Sequence, residues 1–181
     1  MKSILFINLF LLVNFIYSQK ITHNFYMPLK TYHYNQTTDI TKKYYKTEGG
    51  DRGLVYIMRK KKDSSRLYTE FSIGAIRNTF GDFSLLSNIG VGLKWKHIRT
   101  SMSLGISTGY KKLYEPLSNP DDRTYMYDIM PKIFRSNNLV LNPMITLISN
   151  NLINIDNIII NPLLNISPNF LNTGIIITIK K

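Results

Sequence analysis

The chain has no cysteine, which excludes disulfide frameworks, Cys-ligated zinc, iron–sulfur clusters and thiol nucleophiles. Histidine occurs only at His23, His33 and His97, too few and too scattered for a His-rich metal site. Neither a metal nor any other cofactor is expected. Acidic residues are scarce, 11 against 23 Lys and Arg, for a formal net charge of +12. Charged residues of both signs make up only 19% and hydrophobic ones 44%, which argues against extended disorder. Beyond residue 18 no run of 18 apolar residues appears, so no transmembrane helix is expected. The 181 residues leave room for one domain or one small barrel. Asn, Ile and Lys are abundant, a bias that codon composition also produces, so the charge alone names no partner.

The N-terminus has the parts of a secretory signal: Lys2, an uncharged stretch from Ile4 to Tyr17, and small Ser18 before Gln19. Residues 1–18 are therefore expected to be a signal peptide, with an uncleaved anchor as the alternative, and residues 19–181 the mature domain.

Within the mature domain the sequence alternates with a period of two. Phe83, Leu85, Ser87, Ile89, Val91, Leu93 and Trp95 point one way, and Ser84, Leu86, Asn88, Gly90, Gly92 and Lys94 the other. Ile98, Thr100, Met102, Leu104 and Ile106 then alternate with Arg99, Ser101, Ser103, Gly105 and Ser107. One face is large and apolar, the other small and polar. A soluble sheet would solvate its polar face with long charged chains. A face of Gly, Ser and Asn fits a narrow lumen with lipid outside. The expected fold is all-β: an eight-stranded antiparallel up-and-down transmembrane β-barrel, with strands at 25–34, 53–60, 66–77, 83–95, 98–110, 139–148, 152–163 and 172–180. Connections alternate long and short, as outer loops and inner turns do, with a short turn expected at Ser149–Asn151. Segment 124–136 is an alternative strand, and Pro143 and Pro162 each mark an edge, a bulge or a gap in pairing. A soluble lipocalin-like barrel is the competing architecture.

In this topology the ends of the first and third strands share a rim. His33 and Thr79 could thus meet there as base and hydroxyl, although such a pair is more often a simple rim contact. Tyr26-Met27-Pro28 followed by Thr31-Tyr32-His33 resembles the first strand of the PagP-type lipid A palmitoyltransferases, which carry a Tyr-aliphatic-Pro run and then Thr-aromatic-His. Arg77-Asn78-Thr79-Phe80 resembles the family's basic-Asp-Ser-aromatic segment, and Gly90-Val91-Gly92 with Trp95 its Gly-aromatic-Gly-Trp. The resemblance implies an outer-membrane barrel that moves a palmitoyl chain from a phospholipid to lipid A. It implies a catalytic His33 with Asn78 and Thr79 in place of the family's Asp and Ser. Asn78 cannot carry a negative charge, and Asp82 is a candidate replacement carboxylate. Tyr32, Arg77, Gly90 and Gly92 are the candidate substrate-binding residues; relief of crowding in a small barrel explains the two glycines equally well. The chain departs from the family pattern at its end, Ile177-Thr178-Ile179-Lys180-Lys181, which lacks a terminal aromatic, and the family's N-terminal amphipathic helix looks absent or reduced.

Lys42, Lys43, Lys46, Arg52, Lys111, Lys112, Arg123 and Lys132 fall in the outer loops, where they would face lipid A phosphates or plain solvent. Lys60, Lys61 and Lys62 fall at the inner rim, within reach of anionic headgroups. The expected partners are membrane phospholipid, lipid A and the outer-membrane bilayer around a monomer. Nucleic acid is disfavoured by the signal segment despite a pI near 9.8. Two functions remain open: an acyltransferase acting on lipid A or a related glycolipid, and a catalytically inactive barrel of the same fold that binds lipid or serves a structural role.

Overall fold

A computed structural model of the chain describes residues 19–33, 52–78, 81–109, 135–136, 139–150, 152–168 and 170–180. All regular structure within them is extended: β1 (Gln19–His33), β2 (Arg52–Lys62), β3 (Leu67–Arg77), β4 (Phe83–Lys94), β5 (Ile98–Ser107), β6 (Arg135–Ser136), β7 (Leu139–Ser149), β8 (Ile153–Ile155), β9 (Ile158–Ile166) and β10 (Phe170–Ile179). The eight long strands pair antiparallel in the order β7-β5-β4-β3-β2-β1-β10-β9, and a β7–β9 ladder closes the ring. This is the expected eight-stranded up-and-down barrel. The short β6 and β8 are additions to it.

The alternation seen in the sequence becomes the two walls. Tyr68, Ser72 and Ile76 of β3, Ser84 and Gly92 of β4, and Ser101, Ser103 and Ser107 of β5 are buried inside, while their neighbours face out. The outer wall is apolar, and the interior mixes buried polar groups with an apolar cluster of Tyr26, Val55, Ile57, Ile76, Ile148, Leu163 and Ile176. Met102 is 67% exposed, Ile89 65%, Val91 55% and Ile73 53%, whereas Asn24, Asn78, Asn161 and Ser84 are at most 1% exposed. Polar groups in such a lumen need partners, and several of them find partners across strands. Thr178 donates to Asn24 Oδ1 (2.6 Å), whose Nδ2 donates to the Ile57 carbonyl (3.0 Å). The Tyr26 hydroxyl donates to Asn172 Oδ1, and Asn172 Nδ2 donates to Thr31 Oγ1 (2.6 Å). Asn88 reaches Ser72 (2.9 Å), and Thr146 reaches Asn165 (2.7 Å).

The short turns Asp63–Arg66 and Trp95–His97 share one rim with the first and last described residues, Gln19 and Lys180. The opposite rim carries the end of β1, the 78–82 turn and the end of β5.

Two boundaries differ from expectation. β1 begins at Gln19, earlier than expected, because its ladder with β2 starts at Gln19↔Lys62, the last residue of β2. The hairpin expected at Ser149–Asn151 turns instead at Asp156-Asn157, where Asp156 has φ 45°. β8 continues the line of β7 along β9: β7 pairs with Leu163 to Ile166, and β8 pairs with Ile158 to Ile160. At the break, Asn150 Nδ2 donates to the Trp95 carbonyl (2.9 Å) and Asn161 Oδ1 accepts from the Leu152 N–H (2.9 Å). Pro162 lies against this break, where a missing N–H costs no ladder bond. Pro143 pairs with β5 but lies beyond the last β9 partner, Ile145↔Ile166, so it too falls at a gap in pairing. Of segment 124–136 only Arg135–Ser136 is described, as β6 paired to β7.

Candidate functional site

The rim predicted to hold the chemistry is assembled as the topology requires. His33 closes β1 opposite Phe170 of β10, and Arg77 and Asn78 close β3 on the same rim. β2 lies between them, so backbones two strands apart are separated by about 10 Å. Thr79 lies outside the described residues, as do the basic outer-loop residues Lys42, Lys43, Lys46, Lys111, Lys112, Arg123 and Lys132.

Asn78 is fully buried, and its side chain is committed to the turn. Its Oδ1 accepts from the Asp82 N–H (3.0 Å) and its Nδ2 donates to the Gly109 carbonyl (3.2 Å). The backbone adds Asn78 N–H to the Asp82 carbonyl (2.9 Å) and Gly81 N–H to the Asn78 carbonyl (2.8 Å), with Gly81 at φ 81°, a conformation that favours glycine. Arg77 Nε donates to the Gly81 carbonyl (3.0 Å). Arg77, Asn78 and Asp82 thus build one turn and tie it to the end of β5. Asn78→Asp would keep the acceptor, lose the donor and place a carboxylate against the Gly109 carbonyl. It is expected to lower stability by about 1–3 kcal/mol, read as a lower urea midpoint of the folded chain.

Tyr32 faces outward, with Lys30 Nζ 4.8 Å from its ring centroid. The two glycines face inward, but their space is used. A Cβ at Gly92 would lie 2.3 Å from the Tyr68 ring and 2.5 Å from the Thr100 carbonyl oxygen; one at Gly90 would lie 2.8 Å from the Met102 carbonyl oxygen and 3.2 Å from Glu70. In this geometry both glycines make room for side chains of the barrel itself. Gly92→Val is expected to cost about 1–3 kcal/mol through overpacking, measurable as a shift of the same unfolding midpoint.

The seam between β1 and β2 also bears on the expected chemistry. Their ladder ends at Tyr26↔Val55, yet β1 runs on to His33, paired only to β10 among the described residues. Pro28, which has no N–H to donate, sits just past that last pair, and a bulge lies between Pro28 and Lys30. The lumen behind the seam holds a cavity of about 90 Å³, lined by residues that include Tyr26, Pro28, Leu86, Asn142 and Phe170. That is well below the ~300–1,000 Å³ of pockets that take small-molecule ligands.

The cavity floor is a feature that the sequence reading does not anticipate. Arg59 of β2 stands directly opposite Glu70 of β3, and its Nε donates to Glu70 Oε2 at 3.0 Å; the side chains are 4% and 10% exposed. Ser101 Oγ donates to the other carboxylate oxygen (2.7 Å), and the Arg59 guanidinium lies 5.6 Å from the centre of the Tyr68 ring. This cluster divides the lumen. The signal for it is a single acid at an inward position of β3, which demands a cation on a neighbouring strand. Among the described residues no group of three or more His, Asp or Glu is arranged to hold a metal ion.

No protein-family model and no curated protein matches the chain.

Proposed function

We propose that the chain is an integral outer-membrane barrel, its lumen divided by Arg59 and Glu70, that serves a binding or structural role rather than transport or acyl transfer. The observation that carries this reading is the outer wall: exposed Ile73, Leu85, Ile89, Val91, Met102, Leu104 and Ile106 make it broadly apolar, while Asn, Ser and Thr side chains are buried in the lumen beside an apolar cluster that includes Val55, Ile57, Ile148 and Ile176. Soluble monomers seldom expose an apolar patch beyond a few hundred Å². A soluble lipocalin-like barrel would reverse the two faces. Most of the barrel strands have 9–12 residues, the length that crosses a bilayer when tilted. The Arg59–Glu70 floor argues against an open channel, and the small cavity and the committed Asn78 argue against a long acyl chain held beside a catalytic amide. Expression in a Gram-negative host, with alkaline washing of the membranes, tests the placement. The chain is expected in the washed membrane fraction and soluble only with detergent; recovery in the wash would contradict it.

A second reading, lipid A acyltransferase, is favoured by one feature. The seam above Tyr26↔Val55 breaks the barrel wall at Pro28, beside the strand that ends in His33. Mass spectrometry of lipid A from a host expressing the chain, beside His33→Ala, separates the two. The binding or structural reading predicts an unchanged profile. A new acylated species lost in the variant would establish the transferase.

A further inference from the structure

Below the Arg59–Glu70 floor the lumen opens toward the short-turn rim as a second cavity of about 530 Å³. Its walls carry six cations, Lys20, Arg59, Lys61, Lys94, Arg99 and Lys180, and Asp63 is the one acid among its described lining residues. Two of these cations are committed to the rim: Lys61 Nζ donates to the carbonyls of Lys62, Asp63 and Ser65, and Lys180 Nζ donates to Asn154 Oδ1 (2.7 Å). Of the other four, Arg59 is the one with an acidic partner, Glu70, among the described residues. Lys94 and Arg99 are directly opposite on β4 and β5, and Lys20 and Lys61 directly opposite on β1 and β2. Like charges facing each other across a ladder are destabilising.

Arg59 supplies the decisive detail. It is 3% exposed, and of its three nitrogens only Nε has a partner; both terminal nitrogens are buried without one among the described residues. Arg99 Nε is buried in the same condition. Glu70, by contrast, is satisfied at both oxygens, by Arg59 and by Ser101. The ion pair therefore leaves the forked end of the guanidinium to spare. Buried cationic donors without acceptors are costly, and one anion between Arg59, Arg99 and Lys94 would satisfy them together.

We propose that this vestibule is an oxyanion-binding site for a phosphate-class anion, held by the guanidinium forks of Arg59 and Arg99 with Lys94 as a point charge. Guanidinium forks match phosphate geometry in pairs of parallel hydrogen bonds. The site needs the lumen of the barrel and not its placement in a bilayer, so its failure would leave the membrane reading standing. The ligand is either a free phosphate compound or the phosphodiester of a lipid headgroup at this rim.

The test is isothermal titration of the full chain, folded in a phosphate-free zwitterionic detergent at low salt, with inorganic phosphate as the probe. One saturable site is expected. Lys94→Gln/Arg99→Gln is expected to weaken it at least about tenfold while its urea midpoint without phosphate stays level or rises, since the variant removes a like-charge pair. Arg99→Lys, which keeps the charge without the fork, serves as a second variant and is expected to bind with intermediate affinity. Repeating the titration in micelles doped with phosphatidylglycerol identifies the source: a headgroup ligand suppresses the phosphate signal, and a free ligand leaves it intact. Absence of saturable binding to the folded wild type, or equal binding by the double variant, would overturn the proposal.

Discussion

Glu70→Ala is expected to destabilise the barrel by about 3–5 kcal/mol, the cost of leaving a buried charge without its partner. Arg59 keeps its place in the lumen in that variant, but its one side-chain partner among the described residues is gone, and Ser101 also loses its acceptor. The complementary double variant, Arg59→Met/Glu70→Leu, removes both charges and fills the space. It is expected to be near wild type or more stable, because well-packed apolar groups often match or exceed a buried ion pair. Equilibrium unfolding in urea of the three proteins checks both statements. A Glu70→Ala variant within about 0.5 kcal/mol of wild type would mean that water reaches the pair freely and that the lumen is not divided.

Ile89→Arg tests the outer wall. Ile89 lies in the middle of β4, opposite Phe71 on one side and Leu104 on the other, and faces out. On a water-exposed barrel the change would stay within about 0.5 kcal/mol. At the midplane of a bilayer it is expected to cost about 2–4 kcal/mol, while Leu67→Arg, at the short-turn end of β3, costs about 0–1. Unfolding of the folded chain in lipid vesicles measures both. Equal effects at the two positions would remove the depth dependence that a bilayer imposes.

The strands are legible in the sequence because their two walls differ so sharply in side-chain size and polarity. The run from Phe83 to Ser107 shows both faces, with Leu86 and Ser87 out of pattern, and β4 and β5 fall where it places them. The Asp156-Asn157 turn is hidden because Asn150 and Asn151 look like a loop by composition. In the structure Asn150 bonds across to the neighbouring turn, and the strand line resumes beyond it. Richness in Asn reads as a compositional bias. Asn24, Asn161, Asn165 and Asn172 are in fact among the most buried side chains, holding the lumen together through cross-strand bonds that no local pattern reveals.

The candidate site is legible only in outline. Strand parity alone places His33 and Asn78 on one rim, and the fold agrees. It does not reveal that Asn78 spends both ends of its amide on the 78–82 turn and Gly109, because that depends on where β5 ends. Gly92 reads in the sequence equally as room for a lipid chain or as relief of crowding, and the ring of Tyr68, one strand away, matches the second. The Arg59–Glu70 pair depends on the β2–β3 register, which a residue-by-residue reading of β2 brings within reach.

Whether the outer wall faces lipid can be read directly because the chain lacks cysteine, so any cysteine introduced is the only one. Single cysteines at positions 85 through 92 of β4, spin-labelled in the folded chain in lipid vesicles, report accessibility to oxygen and to a water-soluble relaxation agent. A period of two is expected: labels at 85, 89 and 91 meet oxygen from the lipid and are shielded from the aqueous agent, while those at 86, 88 and 90 do not meet lipid. Aqueous accessibility at 85, 89 and 91 would contradict a barrel that spans the membrane with this wall outward.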